Sequence, residues 1–428
     1  MFSQETYIRR RRTLTTKVCA GILFFPANNE MSFNYPANTY SYRQDSTFLY
    51  YFGIDSPGYA GIMDVDAGVE ILFGNEVTMD DIIWSGALPS LSETAHSTGI
   101  HVTKPFDQLA EYLKKAQSLG RKIHYLPPYR DDIKIFIHET LGIPFSELKK
   151  QASEDLIKGV VAMRSVKEIQ EIEDIERTVD VAYLMHTAAM RMAHEGKIEQ
   201  EIAGVVEGLA ISHGRSVSFP VILSQNGQIL HNHGHNNPLQ NGRLMVTDAG
   251  AESAMRYCSD ITRTVPVGGK FSQQQKEIYE IALKANVEVA KAVRPDVFYK
   301  DIHLMACEII ATGLTDLGLM KGNPKDAVAA GAHALFMPHG LGHMLGLDVH
   351  DMENLGENYV GYDNTVQRSS QFGLAFLRLA RKLQPGFVLT DEPGIYFIPA
   401  LIDLWKSEGK HNDFINYSKL EAYRDFGG

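Results

Sequence analysis

Four short segments, far apart in this 428-residue chain, carry side chains that together could hold metal ions: Asp248 in VTDAG, Asp260 in SDITRT, His343 in MPHGLGHMLGLDVHD and Glu392 in LTDEPGIY. Three carboxylates and one imidazole make an oxygen-rich donor set, which suits hard or borderline divalent ions such as Mn2+, Co2+ or Zn2+. Two such ions about 3.5–4 Å apart polarise a carbonyl and activate water at neutral pH, the chemistry of metal-assisted hydrolysis. No single residue carries that assignment. Asp before Ala-Gly is an ordinary turn, and Glu392, stopped by Pro393 and Gly394, reads equally as a strand end in water.

The neighbours of the four sharpen the case. In LMVTDAG, Leu244, Val246 and Asp248 share one strand face by the period of two. The carboxylate is therefore expected to continue an apolar inward stripe, and a buried carboxylate is costly unless it is paired or bound to a cation. LMVTDAG and DITRTVPV read as a hairpin or adjacent strands, which would set Asp248 and Asp260 opposite each other. His339 and His343 would share a face of a helix, making both candidate ligands, but Pro338, Gly340 and Gly342 argue against a regular helix. Asp391 and Glu392 point to opposite faces of a strand, so only one of them is expected to face the site. His231, His233 and His235 alternate in QILHNHGHNN and share a face if that stretch is extended. Imidazole suits proton transfer or oxyanion stabilisation, and the residues alone do not select among the three.

The elements that must position these groups fall into two regions. At this length the chain calls for roughly two to three domains. CAGILFF, YAGIMDVD and GVEILFG read as strands and DQLAEYLKKAQSLG as an amphipathic helix ended by glycine, an α/β alternation with a mainly parallel core. SVKEIQEIEDIERTVDVAYLMHTAAM reads as a long helix. Ser165 and Glu168 are its expected capping box, and Ile169, Ile172, Ile175, Val179 and Leu184 its expected apolar stripe. The boundary falls just before it, giving regions 1–160 and 161–428. In the second region QQQKEIYEIALKANVEVAKAV and DIHLMACEIIATGLTDLG read as further helices among the strands.

Bulk properties exclude several classes. No run approaches ~20 uninterrupted apolar residues, so no membrane span is expected. Net charge of −11 argues against a nucleic-acid partner. The basic run Arg9 to Arg12 is therefore expected to be a solvated helix face. Three scattered cysteines are too few for a disulfide framework or a thiolate metal site and fit a reducing cytoplasm.

Over nearly its whole length the chain resembles the pita-bread metallopeptidases, in the branch of Xaa-Pro aminopeptidase (aminopeptidase P) and prolidase. ANTYSYRQDSTFLYYFGID is similar to that branch's accessory domain, and DAG, SDITRT, HGLGHMLGLDVHD and EPGIYF stand in the family's order. The resemblance implies an α+β fold: an N-terminal creatinase-like accessory domain over 1–160 and a pita-bread catalytic domain over 161–428. It implies two divalent ions, Mn2+ first and Co2+ or Zn2+ otherwise, with Asp248 and Glu392 as ligands, Asp260 bridging and His343 as a terminal ligand. It places His231 at the scissile carbonyl, His350 at the proline pocket as a proton relay, and His339 in support behind the ligands. It further implies short proline-containing peptides as substrates, with an accessory domain shared between neighbouring subunits limiting their length, and a homodimer or homotetramer.

Two departures accompany the likeness. Asp248 and Asp260 stand one residue further apart than the family pattern, which a bulge or longer turn would absorb. The family's fifth ligand, a glutamate in a segment like GGIRIEDD, has no counterpart before Gly428, so weaker binding of at least one ion, the loss of the last sheet strand and a truncated frame are expected. Xaa-Pro aminopeptidase is the leading reading. Prolidase, acting on Xaa-Pro dipeptides alone, is the second, and a non-catalytic pita-bread binding module is the third. A metal-free amidinohydrolase is disfavoured by the acidic set.

Overall fold

A computed structural model describes residues 1–428. They divide into two compact units, Met1–Arg164 and Ser165–Gly428.

The first unit is built on a five-stranded sheet. Its central strand, Ala60–Asp64, pairs antiparallel with Ile22–Pro26 on one side and with Val69–Gly74 on the other; Ile123–His124 beyond the first and Val102–Pro105 beyond the second close the two edges in parallel. The sheet is thus mixed, not mainly parallel as its apolar runs imply. The reason is the connection Val65–Gly68, which is a hairpin turn with Gly68 at φ +64°, whereas a parallel return needs a crossover of a dozen or more residues. The runs are apolar because both faces of the sheet are covered. Ile22 and Phe24 pack with Leu109, Leu113, Ile137 and Leu141, while Phe25 meets the rings of Tyr51 and Phe52 at 5.4 and 5.7 Å.

The basic run is only half solvated: Arg9 and Arg12 are exposed. It lies in the helix Gln4–Lys17, where Arg10 is 2% and Arg11 0% exposed. Arg11 donates to Glu70 Oε2 at 2.7 Å and to the carbonyls of Tyr51 and Thr98, both at 2.9 Å. Arg10 stacks on the Tyr50 ring at 3.8 Å and donates to the Tyr50 carbonyl. Buried guanidinium groups with this many acceptors hold the helix to distant chain segments, a role that charge patterning does not reveal.

The second unit opens on the helix Ile169–Met192, capped three residues later than expected: Glu168 is the N-cap and forms its box with Glu171. Ser165 instead accepts from Arg381 at 2.9 Å. The buried face also differs from the apolar stripe. Ile169 and Val179 are exposed, while Glu171, Asp174 and Thr178 are buried beside Ile175, Ala182 and Met185. The buried polar groups have partners from one distant loop: Tyr257 donates to Glu171 at 2.7 Å, Ser253 donates to Asp174, and Ser259 donates to the Thr178 carbonyl at 3.0 Å.

The helices Ile169–Met192 and Glu199–His213 pack on one face of a three-stranded antiparallel sheet, in the order Ile261–Pro266, Leu244–Ala249, Ile222–Ser224. Their core joins Met185, Ala189, Ile202 and Val206 to Met245, Ala249 and Leu223. Met245, Thr247 and Ala249 therefore face the helices. Val246 and Asp248 face the other way and are less buried, so Asp248 does not extend the core stripe but lies on the opposite side of the sheet. Helices Gln273–Ala292 and Tyr299–Asp316 follow as the sequence implies.

Candidate metal centre

The strand pair places the first two carboxylates. Asp248 is directly opposite Thr262, and Asp260 lies just before the second strand. The aspartates are diagonal neighbours rather than opposite, still within reach on one face of the sheet. The connection between them is no simple turn: Ala251–Glu252 pairs with Ser216–Val217, and Glu252 bridges Cys258. Gly250 is required here, since a Cβ would lie 1.8 Å from the Ser259 carbonyl oxygen.

Two irregular segments bring the other groups. Residues 341–345 and 388–392 run side by side: Glu392 N–H donates to the Leu341 carbonyl at 2.9 Å, Thr390 to His343 at 3.0 Å, and Leu345 to Val388 at 3.0 Å. HGLGH is therefore extended rather than helical, and its glycines have a steric reason. A Cβ on Gly342 would meet the Thr390 carbonyl oxygen at 2.1 Å. The pairing sets His343 beside Glu392, with Nε2 3.4 Å from Glu392 Oε1 and 3.2 Å from Asp260 Oδ2. Asp391 points elsewhere, accepting from Asn286 at 3.0 Å, so one acid of the Asp-Glu pair turns to the cluster.

The electrostatics are those of a site short of positive charge. Asp248 Oδ1 is buried without a hydrogen-bond partner. Burial first, then repulsion from Asp260, raises the Asp248 pKa well above the carboxylate range. Burial pushes Glu392 up to about 7 despite His343, and burial with Glu392 pushes Asp391 up to about 7. Burial acts to lower the His343 pKa, but Asp260 and Glu392 together raise it. His343 Nδ1 lies 3.0 Å from the Met344 carbonyl. That contact assigns the proton to Nδ1 and leaves the Nε2 lone pair toward the acids, the arrangement of a metal-binding imidazole. Donor atoms about 2.0–2.2 Å from one ion stand about 2.9–3.4 Å apart, the spacing of His343 Nε2 from its two carboxylates. Asp260, His343 and Glu392 fit a divalent cation by donor type and spacing, and Asp248 adds an unpartnered buried oxygen beside Asp260 and Glu392.

The remaining histidines flank this cluster. His350 stacks on His343 with centroids 3.7 Å apart. Its Nδ1 is 2.6 Å from Glu353 Oε2, and Arg378 in turn binds Glu353. His339 places Nδ1 2.8 Å from the Gly340 carbonyl and Nε2 3.2 Å from the Tyr396 hydroxyl. Burial lowers the pKa of both histidines. His231 is exposed, in a turn rather than a strand, and close enough to His339 to act on it electrostatically. His233 is exposed, and His235 is tied to the Leu223 carbonyl at 3.0 Å.

Sequence reasoning missed Thr390, Glu353 and Tyr396. Thr390 Oγ1 accepts from the His343 N–H and donates to Glu392 Oε1, both at 3.0 Å. Its place two residues before Glu392 in an extended run was a usable signal. Glu353 and Tyr396 gave none, because the loops that bring them in have no period.

The family model described as metallopeptidase family M24 matches residues 173–416, and that of the aminopeptidase P N-terminal domain matches residues 7–124. The chain belongs to metallopeptidase family M24. Human Xaa-Pro dipeptidase is 33% identical over 400 residues, covering 90% of this chain and 78% of that protein. A probable Xaa-Pro aminopeptidase of Fusarium vanettenii is 29% identical over 394 residues, covering 90% and 79%. Among solved structures, zinc-substituted E. coli aminopeptidase P in complex with product is 28% identical with a TM-score of 0.78, covering 93% of this chain and 88% of that one. The M24 chain therefore has the two-domain pita-bread architecture, a metallopeptidase domain preceded by an aminopeptidase P N-terminal domain, and is α+β. No helix is long and apolar enough to cross a membrane.

Proposed function

We propose that this M24 metallopeptidase removes the N-terminal residue of peptides whose second residue is proline, with Asp248, Asp260, His343 and Glu392 holding two divalent ions. The observation that carries the reading is the convergence of three carboxylates and His343 Nε2 on one side of the 244–249 strand, where Asp248 Oδ1 has no partner from the protein. Mn2+ is the first choice of ion, with Co2+ or Zn2+ able to serve, because the donors are mostly oxygen. Bound there, such ions supply Lewis acidity and an activated water.

The chain's own groups do the rest. Asp260, a neighbour of both Asp248 and His343, would be the bridging ligand. Glu392, partly open to the cleft and held by Thr390, takes a proton from the attacking water and passes it toward the departing proline nitrogen. His231, exposed at the rim, donates to the scissile carbonyl oxygen. His350 keeps its Nδ1 proton on Glu353, which leaves Nε2 to face the proline and relay a proton. His339 positions Tyr396 by accepting its hydroxyl proton at Nε2. Burial favours the neutral form of both His339 and His350, as these roles require.

Work in a reducing cytoplasm as a homodimer or homotetramer, on short peptides and without nucleic acid or membrane, completes the reading. It is supported by three free cysteines and a net charge of −11. The second reading, a dipeptidase, is favoured by the 33% identity to human Xaa-Pro dipeptidase. Rates on Xaa-Pro-Yaa and Xaa-Pro substrates in Mn2+ decide between them. Turnover of the tripeptide is expected. Turnover of the dipeptide alone replaces the first reading by the second, and tight metal binding with turnover of neither leaves a binding module.

A further inference from the structure

A second histidine cluster lies apart from the acidic one. His303 and Cys307 are one turn apart on the helix Tyr299–Asp316, so they share a face. His333 reaches the same place from the short helical turn Ala332–Leu335, which follows Gly331 at φ +86°. All three are 0% exposed, and their donor atoms lie within 4.8 Å of one another. His303 Nε2 is 3.6 Å from Cys307 Sγ. The other imidazole nitrogens, His303 Nδ1 and both of His333, are buried with no hydrogen-bond partner. The Val328 carbonyl approaches His333 without reaching hydrogen-bond geometry.

Buried polar atoms are nearly always satisfied, so an orphaned imidazole aimed at a cysteine and a second imidazole calls for an explanation. The donor types supply one. Metal–sulfur and metal–nitrogen bonds of about 2.3 and 2.0–2.1 Å at a tetrahedral angle put the two ligand atoms about 3.5–3.6 Å apart, which matches the Cys307–His303 separation. Thiolate with imidazole selects Zn2+ or Cu+ and disfavours Mn2+. The scatter of the three cysteines along the sequence does not exclude such a site, because one thiol is joined here by two imidazoles from different elements.

We propose that His303, Cys307 and His333 form a buried metal site that takes one thiophilic d10 cation, Zn2+ or Cu+, and staples the 299–316 helix to the 332–335 turn. Binding has a defined proton balance. Burial pushes the Cys307 thiol up to about 12 and the imidazoles of His303 and His333 down to about 3 and 4. The metal–sulfur bond therefore forms as one proton leaves Sγ for solvent, and the already neutral imidazoles release none. Since no ligand is exposed, the ion enters during folding or local opening.

The test uses the full chain with Asp248→Asn and Asp260→Asn, which weakens the acidic centre, refolded with Co2+ as a spectroscopic stand-in for Zn2+. One equivalent of Co2+ with a thiolate-to-cobalt charge-transfer band is expected, together with one proton released per ion. Parallel titrations with Zn2+ and with anaerobic Cu+ against chromophoric chelators tell which ion is held more tightly. The band is expected to vanish in the further variants Cys307→Ala and His333→Gln. X-ray absorption on the chain with Cys307 intact gives the answer even if those variants do not fold: one sulfur and two imidazole nitrogens around cobalt support the site. An oxygen and nitrogen shell without sulfur, or a band that survives Cys307→Ala, overturns it.

Discussion

Asp64 ends its strand and Asp248 stands one residue before the end of its own, and the surroundings of the two are opposite. The Asp64 side chain is 2% exposed and answers to Arg121, to the Tyr112 hydroxyl at 2.6 Å and to the Ala67 N–H at 3.0 Å. Asp248 has Asp260 and Glu392 for neighbours and one oxygen with no partner. Burial acts to raise both pKa values. At Asp64 the hydrogen bonds from Arg121 and Tyr112 outweigh it and the pKa ends below the ordinary value, whereas at Asp248 it ends well above. The first carboxylate has its cation built into the chain. The second has none from the chain, and in the proposed function its cation comes from solution, which separates an acid that supports the fold from one that serves chemistry.

The comparison breaks most visibly in activity. Asp248→Asn or Asp260→Asn is expected to lower kcat/KM at least about 10³-fold, since several kcal/mol of transition-state stabilisation passes through the ions these acids are proposed to hold. Asp64→Asn is expected to leave kcat/KM within about twofold and instead to cost roughly 1–3 kcal/mol in urea unfolding, because it leaves a buried hydrogen-bonding set mismatched. Arg121 keeps its bond to Asp66 at 2.8 Å, which limits that loss. Steady-state rates beside unfolding midpoints read both effects. An activity loss at Asp64 matching that at Asp248 would falsify the division.

Acidity separates the two regions by sign. In the metal-free chain Asp391 and Glu392 titrate near 7, above their ordinary values of 3.8 and 4.5. Between those values these two acids bind more protons in the folded state than in the unfolded one, so their contribution to stability falls as pH rises from about 4 to 7, opposed by His303 and His333, whose lowered values make stability rise over the same range. Asp64 works the other way: its depressed pKa contributes stability above pH 3.8 that is lost as pH falls through the folded value. Mn2+ in excess is expected to stabilise the chain more at pH 7 than at pH 5, since it favours the ionised acids, and to leave the acid limb unchanged. Urea unfolding at pH 5 and 7, with and without the ion, measures this. A chain that Mn2+ stabilises no more at pH 7 than at pH 5 contradicts the raised values.

How much of this was legible from the residues depended on distance along the chain. Strands such as Ile22–Pro26 and helices such as Gln273–Ala292 were readable because apolar periodicity is local. The burial of Arg11, Glu171 and Asp174 was not, because the acceptors and donors that make it tolerable arrive from Tyr51, Tyr257 and Ser253. The same holds between the two histidine clusters. His343 sits in a segment dense with glycine and histidine, whereas His303, Cys307 and His333 occupy an ordinary helix and turn, and only the packing brings them together. The acid pairing was half readable: the period of two excluded one of Asp391 and Glu392, but Asn286 decided which.

Glu353 is the intermediate case and offers the finest test. It lies beside the proposed metal centre, since its partner His350 stacks on His343, yet it resembles Asp64 in having a cationic neighbour from the chain, Arg378. His350 lowers its pKa most, and Arg378 adds to this. Its task is to hold the His350 ring against His343 with the Nδ1 proton in place. Glu353→Gln keeps the shape and removes the charge. An effect of about tenfold on kcat is expected, the lower end of what the partner of a working imidazole contributes. Glu353 opposes the burial that lowers the His350 pKa, so its removal should lower that pKa further and move any acidic limb of the kcat profile to lower pH. Metal content should be unchanged, because Glu353 accepts from His350 and not from a proposed ligand. A loss of bound ion in Glu353→Gln, or a fall in rate with no movement of the pH profile, would show that the residue supports the metal centre or the loop rather than the imidazole.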